Sequence, residues 1–179
     1  MEYFNILFNM IVLYIKRFLK KGVWKISIWQ NIHPSVKITT LPRSNIELRK
    51  NIVMERYGLI FVGENAKLSI GERVYFNQGC VLSCKEKIKI GSHCLFGPNV
   101  KIYDNNHKFK RDVGVLFEHK TSPIQIGNNC WIASNVTILK GTKIGNNCVI
   151  GANCVVSGVI PDNSVVKQKD NLIIEEIKI

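Results

Sequence analysis

The residue best suited to chemistry is His107, at the start of a polar segment that interrupts an otherwise regular sequence. The interruption runs from 103 to 123, and a long insertion of this kind usually carries function. Histidine exchanges protons near neutral pH, so His107 is a candidate general base. Asp104 and Glu118 are acidic residues of the same loop, and either could hold the imidazole, Glu118 by folding back across the loop. The alternative is an inert surface histidine with two solvated carboxylates.

The elements that must position these residues are indicated by a repeat of six. Aliphatic residues return at every sixth position in the last third of the chain, and a small or apolar companion follows each of them four residues later. The first set is Ile126, Ile132, Ile138, Ile144, Ile150 and Val156, and the second is Cys130, Val136, Thr142, Cys148, Cys154 and Ile160. A helix would repeat at three and four residues and a half-buried strand at two. A period of six therefore predicts a parallel β-helix whose stacked coils bury both positions.

The repeat extends upstream with one offset. The register that runs from Ile70 to Ile88 restarts two residues later at Ile90, which indicates a bulge or corner near Lys87. Glycines and polar residues that follow the aliphatic positions predict turns with positive φ at the corners. The predicted divisions are 1–22 for an N-terminal helix, 23–69 for irregular first coils, 70–166 for the hexapeptide β-helix with a loop extruded at 103–123, and 167–179 for a C-terminal tail.

Composition limits the class of protein. The chain has 179 residues, of which 46% are hydrophobic and 21% charged, as is typical of one globular domain. Its formal net charge of +12 favours an anionic partner such as a phosphorylated cofactor, an acidic glycan or a membrane face. Lys and Arg residues are scattered along the chain and match no nucleic-acid-binding module, so we expect no nucleic acid partner.

The six cysteines are expected to be structural thiols. Four of them occupy the small inward position of their repeats, Cys94, Cys130, Cys148 and Cys154, where a free cysteine acts as a compact hydrophobic residue. The sequence has no CxxC pair to indicate zinc or a redox centre. This usage implies a reducing compartment.

Residues 1–21 predict an amphipathic helix. Apolar residues recur at spacings of three and four, and basic residues follow at the end: Lys16, Arg17, Lys20 and Lys21. The segment is too short to span a bilayer, and its charges follow the apolar stretch, which does not fit a secretory signal. The helix either covers the open end of the β-helix or packs in an oligomer, or it lies on a membrane surface as a basic interfacial helix.

Three features together resemble the left-handed β-helix acyltransferases. They are the hexapeptide wall, the segment Tyr-Asp-Asn-Asn-His at 103–107, and the segment Ile-Gly-Asn-Asn-Cys-Trp-Ile-Ala-Ser-Asn-Val at 126–136. Within that group, the chain is similar to the maltose, galactoside and Nod-factor O-acetyltransferases and their glycan-modifying relatives. The resemblance spans residues 60–166 and is most specific in the last third of the chain.

The resemblance implies acetyl transfer from acetyl-CoA to a hydroxyl group, without a covalent enzyme intermediate. His107 would remove the proton of the attacking hydroxyl. The backbone N–H of Ser134 would face the oxyanion that develops at the thioester carbonyl. Asn77 matches an asparagine that lines the acetyl and acceptor pocket, and its alternative is a turn asparagine between coils.

The resemblance also implies a homotrimer, with acetyl-CoA bound along the wall between neighbouring subunits. Trp131 and Ser134 would lie in the pantetheine slot, and Ala152 and Ser157 match positions that contact the cofactor. Basic candidates for its phosphates are Lys140, Lys143 and Lys167. Two departures affect the phosphate end: Gly158 replaces a basic residue of many relatives, and the segment 164–169 lacks their Gly-x-Pro-Ala ending.

The resemblance does not extend to a metal site. The carbonic anhydrases with this coil architecture hold zinc on histidines five residues apart, and no two of the four histidines have that spacing: His33, His93, His107 and His119. We therefore expect no metal.

The apolar, basic N-terminal helix resembles that of small acetyltransferases of O-antigen, capsule and exopolysaccharide pathways. This implies a sugar or polysaccharide acceptor, lipid-linked in some pathways, and a cytoplasmic protein peripheral on the inner membrane face. One alternative is an N-acyltransferase of an amino-sugar nucleotide or amino acid. The other is a non-catalytic β-helix scaffold, which the presence of His107 disfavours.

Overall fold

The computed structural model describes residues 4, 7, 8, 11–13, 15, 24–27 and 29–168. Its strands, in chain order, are β1 (Trp24–Ile26), β2 (Gln30–Ile32), β3 (Lys37–Thr40), β4 (Asn45–Leu48), β5 (Ile52–Met54), β6 (Leu59–Val62), β7 (Lys67–Ile70), β8 (Tyr75–Phe76), β9 (Val81–Cys84), β10 (Lys87–Ile90), β11 (Leu95–Phe96), β12 (Lys101–Tyr103), β13 (Asn105–Lys110), β14 (Gly114–Thr121), β15 (Ile124–Ile126), β16 (Trp131–Ile132), β17 (Thr137–Ile138), β18 (Lys143–Ile144), β19 (Val149–Ile150), β20 (Val155–Val156), β21 (Val159–Ile160) and β22 (Val165–Val166).

All but two of these strands form three parallel sheets that receive one strand from each coil. Sheet A has the order β1-β4-β7-β10-β15-β18-β21, sheet B the order β2-β5-β8-β11-β16-β19-β22, and sheet C the order β3-β6-β9-β12-β17-β20. The three sheets are the walls of a prism. This architecture confirms the predicted fold class, a left-handed parallel β-helix.

Coil length changes along the prism. In sheet A, Trp24 stacks on Ile46 and Ile46 on Leu68, a step of 22 residues. Further along, Ile126 stacks on Ile144 with a step of 18 residues, as three hexapeptides require. The first coils, expected to be irregular, thus have regular parallel ladders. Their longer step obscures the six-residue repeat in the sequence.

The core fills the inside of the prism with the inward residues of successive coils. The predicted positions from Ile126 to Ile160 are buried, and the rings of Phe76 and Phe96 stack with centroids 4.6 Å apart. All six cysteines are free and buried, and desolvation raises the pKa of Cys80 to about 11. The thiols therefore act as small packing groups.

Asparagine, more than glycine, supplies the positive φ angles at the corners. Among the described residues, eight of the twelve non-glycine residues with positive φ are Asn, for example Asn129 and Asn147, because Asn tolerates the left-handed region. The glycines that follow inward aliphatic residues are needed for a different reason, which is lack of space. A Cβ on Gly127 would lie 2.5 Å from the carbonyl oxygen of Gly145. Close approach of successive coils therefore requires glycine there.

The offset predicted near Lys87 is a short corner between sheets C and A. β9 ends at Cys84 and β10 begins at Lys87. Only Lys85 and Glu86 turn this corner. The segment extruded one coil later is a hairpin of β13 and β14, which pair in antiparallel orientation.

The described residues between 4 and 15 are helical. Leu13 is buried in the same cluster as Trp24, so the helix closes the open end of the first coil. Five apolar side chains of this helix are instead exposed: Phe4, Leu7, Phe8, Ile11 and Ile15. In the described part of the chain, no helix is long and apolar enough to cross a membrane. The predicted basic cluster at 16–21 lies outside the described residues, as does the tail from 169.

Candidate active site

The hairpin that carries His107 begins at a corner fixed by Asp104. Asp104 is fully buried. Its carboxylate accepts hydrogen bonds of 2.8 to 3.0 Å from the backbone N–H groups of Lys85, Glu86 and Lys87. These donors belong to the short corner and the first residue of β10, and without the carboxylate they would lack partners. The root of the hairpin is therefore tied to the wall of the prism.

The register of the hairpin places His107 opposite His119, with ring centroids 4.3 Å apart. His107 Nδ1 lies 3.0 Å from the carbonyl oxygen of Leu116. Because a carbonyl oxygen can only accept a hydrogen bond, Nδ1 is the protonated nitrogen and Nε2 holds the free lone pair. His107 is thus set in the tautomer that a general base acting through Nε2 requires.

His119 and Lys85 complete a basic cluster that the sequence analysis missed. Lys85 Nζ lies 3.4 Å from His119 Nδ1. Desolvation, the charge of Lys85 and the neighbouring His107 all lower the pKa of His119, which favours its neutral form. The available signal was Gly114 between two runs of alternating residues, a pattern typical of a hairpin. This pattern indicates the hairpin but not the pairing of the two histidines, because a register shift between His107 and Phe109 places His107 opposite His119.

Neither predicted carboxylate hydrogen-bonds His107 in the described structure. Asp104 is occupied by the corner amides. Glu118 pairs with Lys108 Nζ at 2.8 Å, and this hydrogen bond, together with the charge of Lys108, lowers the pKa of Glu118. The Leu116 carbonyl takes the place expected for a carboxylate, because the cross-strand register brings the backbone of β14 against the imidazole.

Asn77 and Ser134 lie at another corner, between sheets B and C. Asn77 Oδ1 accepts a hydrogen bond from the N–H of Gln78. The backbone N–H of Ser134 donates to no group in the described chain. A Cβ on Gly97 would lie 2.7 Å from this nitrogen, so the glycine leaves the donor uncovered. A free N–H of this kind can stabilise a developing oxyanion.

The residues predicted to bind the cofactor fall into two groups on one chain. Trp131, Ser134, Ala152 and Lys167 lie on sheet B or just after its strands, whereas Lys140, Lys143 and Ser157 lie on sheet A or at the corner that leads into it. The N–H of Ala152, like that of Ser134, has no acceptor among the described residues. The half-exposed Trp131 ring offers an apolar wall to a ligand.

Sheet C separates these two groups. His107 leaves the prism at the corner between sheets C and A, and Ser134 and Asn77 lie at the corner between sheets B and C. No hydrogen bond or ring contact joins His107 to either residue within the described chain. His107 and these two residues therefore lie at different corners of one chain.

Comparisons with known proteins agree with this architecture. Residues 123–158 match the bacterial transferase hexapeptide family (six repeats). The galactoside O-acetyltransferase of Escherichia coli K12 is 33% identical over 146 residues, which cover 75% of this chain and 71% of that protein. The putative lipopolysaccharide biosynthesis O-acetyl transferase of the same organism is 35% identical over 121 residues, covering 61% of this chain and 56% of that one.

Solved structures include a hexapeptide-repeat-containing acetyltransferase from Vibrio cholerae O1 biovar eltor in complex with acetyl coenzyme A. It superposes with a TM-score of 0.52 at 25% identity, over 86% of this chain and 69% of that chain. The sequence match to the galactoside enzyme covers more than two thirds of both proteins. This chain is therefore a member of the bacterial hexapeptide-repeat acetyltransferases.

Proposed function

We propose that the protein transfers the acetyl group of acetyl-CoA to a sugar hydroxyl. His107 Nε2 takes the hydroxyl proton as the oxygen attacks the thioester carbonyl. The Ser134 N–H of a neighbouring copy stabilises the charge on the carbonyl oxygen. When the tetrahedral intermediate collapses, the C–S bond breaks and the imidazolium returns its proton to the sulfur. The products are an acetyl ester and CoA.

The observation that carries this proposal is the contact between His107 Nδ1 and the Leu116 carbonyl. It leaves Nε2 as a proton acceptor on an exposed hairpin. The neighbouring His119 favours its neutral form, so it adds little positive charge against the imidazolium that forms during the reaction.

A homotrimer is part of the proposal, because two walls of the prism have apolar outer faces. The apolar outward residues of sheet B include Val53, Tyr75, Leu95, Trp131, Val149 and Val165, and those of sheet C include Leu59, Val81 and Val155, with Lys37 and Lys101 on the same sheet. The hairpin adds Phe109 and Phe117, exposed by 81% and 97%. Such faces favour burial against other copies. Light scattering should give about three times the 20.4 kDa chain mass.

The acceptor class we propose is a bacterial surface polysaccharide or its lipid-linked precursor. The similarity to a protein named for lipopolysaccharide biosynthesis supports this choice. The acetylation test uses acetyl-CoA with a panel of mono- and oligosaccharides that includes amino sugars. Hydroxylamine treatment of the product distinguishes the two transfer types, since it cleaves esters and leaves amides. We expect a labile ester; a resistant amide formed on amino sugars alone would instead establish N-acylation.

We also propose that the N-terminal helix binds the cytoplasmic face of an anionic membrane. Leu13 points into the core, while Leu7 and Ile11 are exposed by 58% and 55%. Their apolar surface and the net charge of +12 are complementary to an anionic lipid surface. We expect Leu7→Asp with Ile11→Asp to abolish co-sedimentation with phosphatidylglycerol vesicles. Tyr57→Asp, at an exposed corner, is the control; equal sedimentation of all three proteins would refute membrane binding through this helix.

A further inference from the structure

The outer face of sheet A differs from those of the other two sheets because it is positively charged. On the coils that precede the hairpin, four lysines point outward from this sheet: Lys25, Lys67, Lys87 and Lys89. Lysine is depleted from the cores of protein interfaces. This face is therefore poorly suited to packing against another copy of the chain and well suited to a soluble anion.

Lys67, Lys87 and Lys89 lie close together, whereas Lys25 has Glu47 as its direct cross-strand neighbour. Lys67 and Lys87 are direct cross-strand neighbours, and like charges in that position repel. Within the described chain, neither they nor Lys89 form an ion pair. The acidic residue on the same face, Glu47, contacts Arg49 at 3.3 Å. An anionic ligand would relieve the repulsion between the lysines.

The lysine face also has a concave surface. A shallow cavity of about 240 Å³ is lined by Lys25, Lys67, Lys87 and Lys89, together with Glu47 and Ser69. Successive strands of a sheet lie about 4.8 Å apart, so the lysines extend over three such steps along the coil axis. Glu47 interrupts this row between Lys25 and the other three lysines. The uninterrupted part, Lys67 with Lys87 and Lys89, fits a ligand that carries more than one anionic group.

The lysine face is connected by hydrogen bonds to the start of the hairpin that carries the proposed catalytic base. The backbone N–H of Lys87 donates to Asp104, which begins the hairpin three residues before His107. Lys85, at the same corner, reaches His119 with its ammonium group. Cations therefore run from the histidine pair onto sheet A. A glycan held on the lysine face would have one end beside His107.

We propose that the lysine face binds the carboxylates of an acidic glycan and makes it the preferred acceptor. The role of the glycan as acceptor rests on the proposed acetyl transfer, but its binding to the lysine face can be measured separately. A lone phosphate group would engage only part of the row, so an acidic oligosaccharide is the occupant that the geometry favours.

The experiment measures binding of trigalacturonate, neutral galactotriose and galactose 1-phosphate by calorimetry at low salt. We expect trigalacturonate to bind the wild-type protein best, and Lys67→Gln with Lys87→Gln to weaken that binding at least about tenfold. The control is Lys50→Gln with Arg73→Gln at the corners between sheets A and B, outside the cavity, which removes the same charge and should change affinity less than about twofold. Equal losses in both double variants, or a preference for the neutral or the phosphorylated sugar, would overturn the inference.

CoA release with the same sugars separates this inference from the proposed function. Selective binding of trigalacturonate without any acetyl transfer would support glycan binding by the lysine face. It would count against the proposal that the bound glycan is the acetyl acceptor. Transfer to trigalacturonate that is as fast in Lys67→Gln with Lys87→Gln as in the wild-type protein would support the assignment and overturn the role of the lysines.

Discussion

At the scale of single residues, a backbone carbonyl, and not a carboxylate, determines which ring nitrogen of His107 carries the proton. Leu116 offers a carbonyl oxygen to Nδ1, and no side-chain substitution can remove that acceptor without changing the hairpin. A carbonyl also remains neutral at every pH, so the tautomer does not depend on the ionisation of a partner. The base is therefore controlled by hairpin register and by the charges around it.

Lys85 is the charge nearest to the histidine pair, so replacing it should change the titration of His119. Its ammonium group disfavours protonation of His119 and contributes to the lowered pKa of that residue. In Lys85→Met the cation is lost, and the pKa of His119 should rise. NMR titration of the imidazole Cε1 protons measures this directly. An unchanged or lower pKa would contradict the proximity of the two side chains.

Asp104 should contribute to stability far more than an ordinary surface carboxylate. Asp104→Ala leaves three corner N–H groups without their acceptor, and each unsatisfied buried group costs about 1–3 kcal/mol. We expect the free energy of unfolding to fall by roughly 3 kcal/mol or more. Chemical denaturation measures it, with Asp112→Ala in the exposed hairpin turn as the control of equal charge. Similar losses in both variants would contradict the anchoring role.

At the scale of elements, the coils are held at their spacing by glycines as well as by core side chains. Gly127 lies against Gly145 on the next coil, with no room for a methyl group. The same requirement does not apply at Gly63, where the nearest atom to an added Cβ is 3.4 Å away. The two positions offer a matched test of coil packing.

Gly127→Ala should destabilise the prism by about 1–3 kcal/mol, since the added methyl group must displace backbone of the adjoining coil. Gly63→Ala should be neutral or slightly stabilising, because alanine restricts the unfolded chain more than glycine does. Thermal unfolding of the two variants measures the difference. If Gly127→Ala unfolded at the wild-type temperature, the close approach of these coils would be incorrect.

The sequence predicts the wall of the prism better than the site. A strict six-residue period fixes which side chains point inward, so the β-helix and the exit point of the segment with His107 follow from it. The Leu116 contact depends on hairpin register, which shifts between His107 and Phe109 and which the hexapeptide repeat does not constrain. The first coils cannot be recognised in the sequence for a related reason. Their strands recur every 22 residues, and 22 is not a multiple of six.

At the scale of the whole molecule, one chain holds the residues of the proposed site at two different corners. The corner with His107 and the corner with Asn77 and Ser134 are separated by sheet C. A trimer with threefold symmetry would bring each corner against the other kind on the next chain. The complete site is then a property of the assembly.

Mixing two inactive variants tests this arrangement. His107→Ala chains retain Asn77, and Asn77→Ala chains retain His107. If the two residues act across an interface, co-assembly from an equal mixture restores intact pairs at about a quarter of the interfaces. Acetyl transfer should recover to a similar fraction of wild-type activity after joint refolding. No recovery in verified mixed trimers would place both residues of each site on one chain.

The most direct test of the acetyltransferase account is the rate of CoA release from acetyl-CoA by wild-type and His107→Ala protein. The measurement uses a saturating sugar acceptor, with circular dichroism to verify that both proteins are folded. Loss of the general base should lower the acceptor-dependent rate by about a hundredfold or more. A folded His107→Ala protein that retains the wild-type rate would contradict the central role of His107.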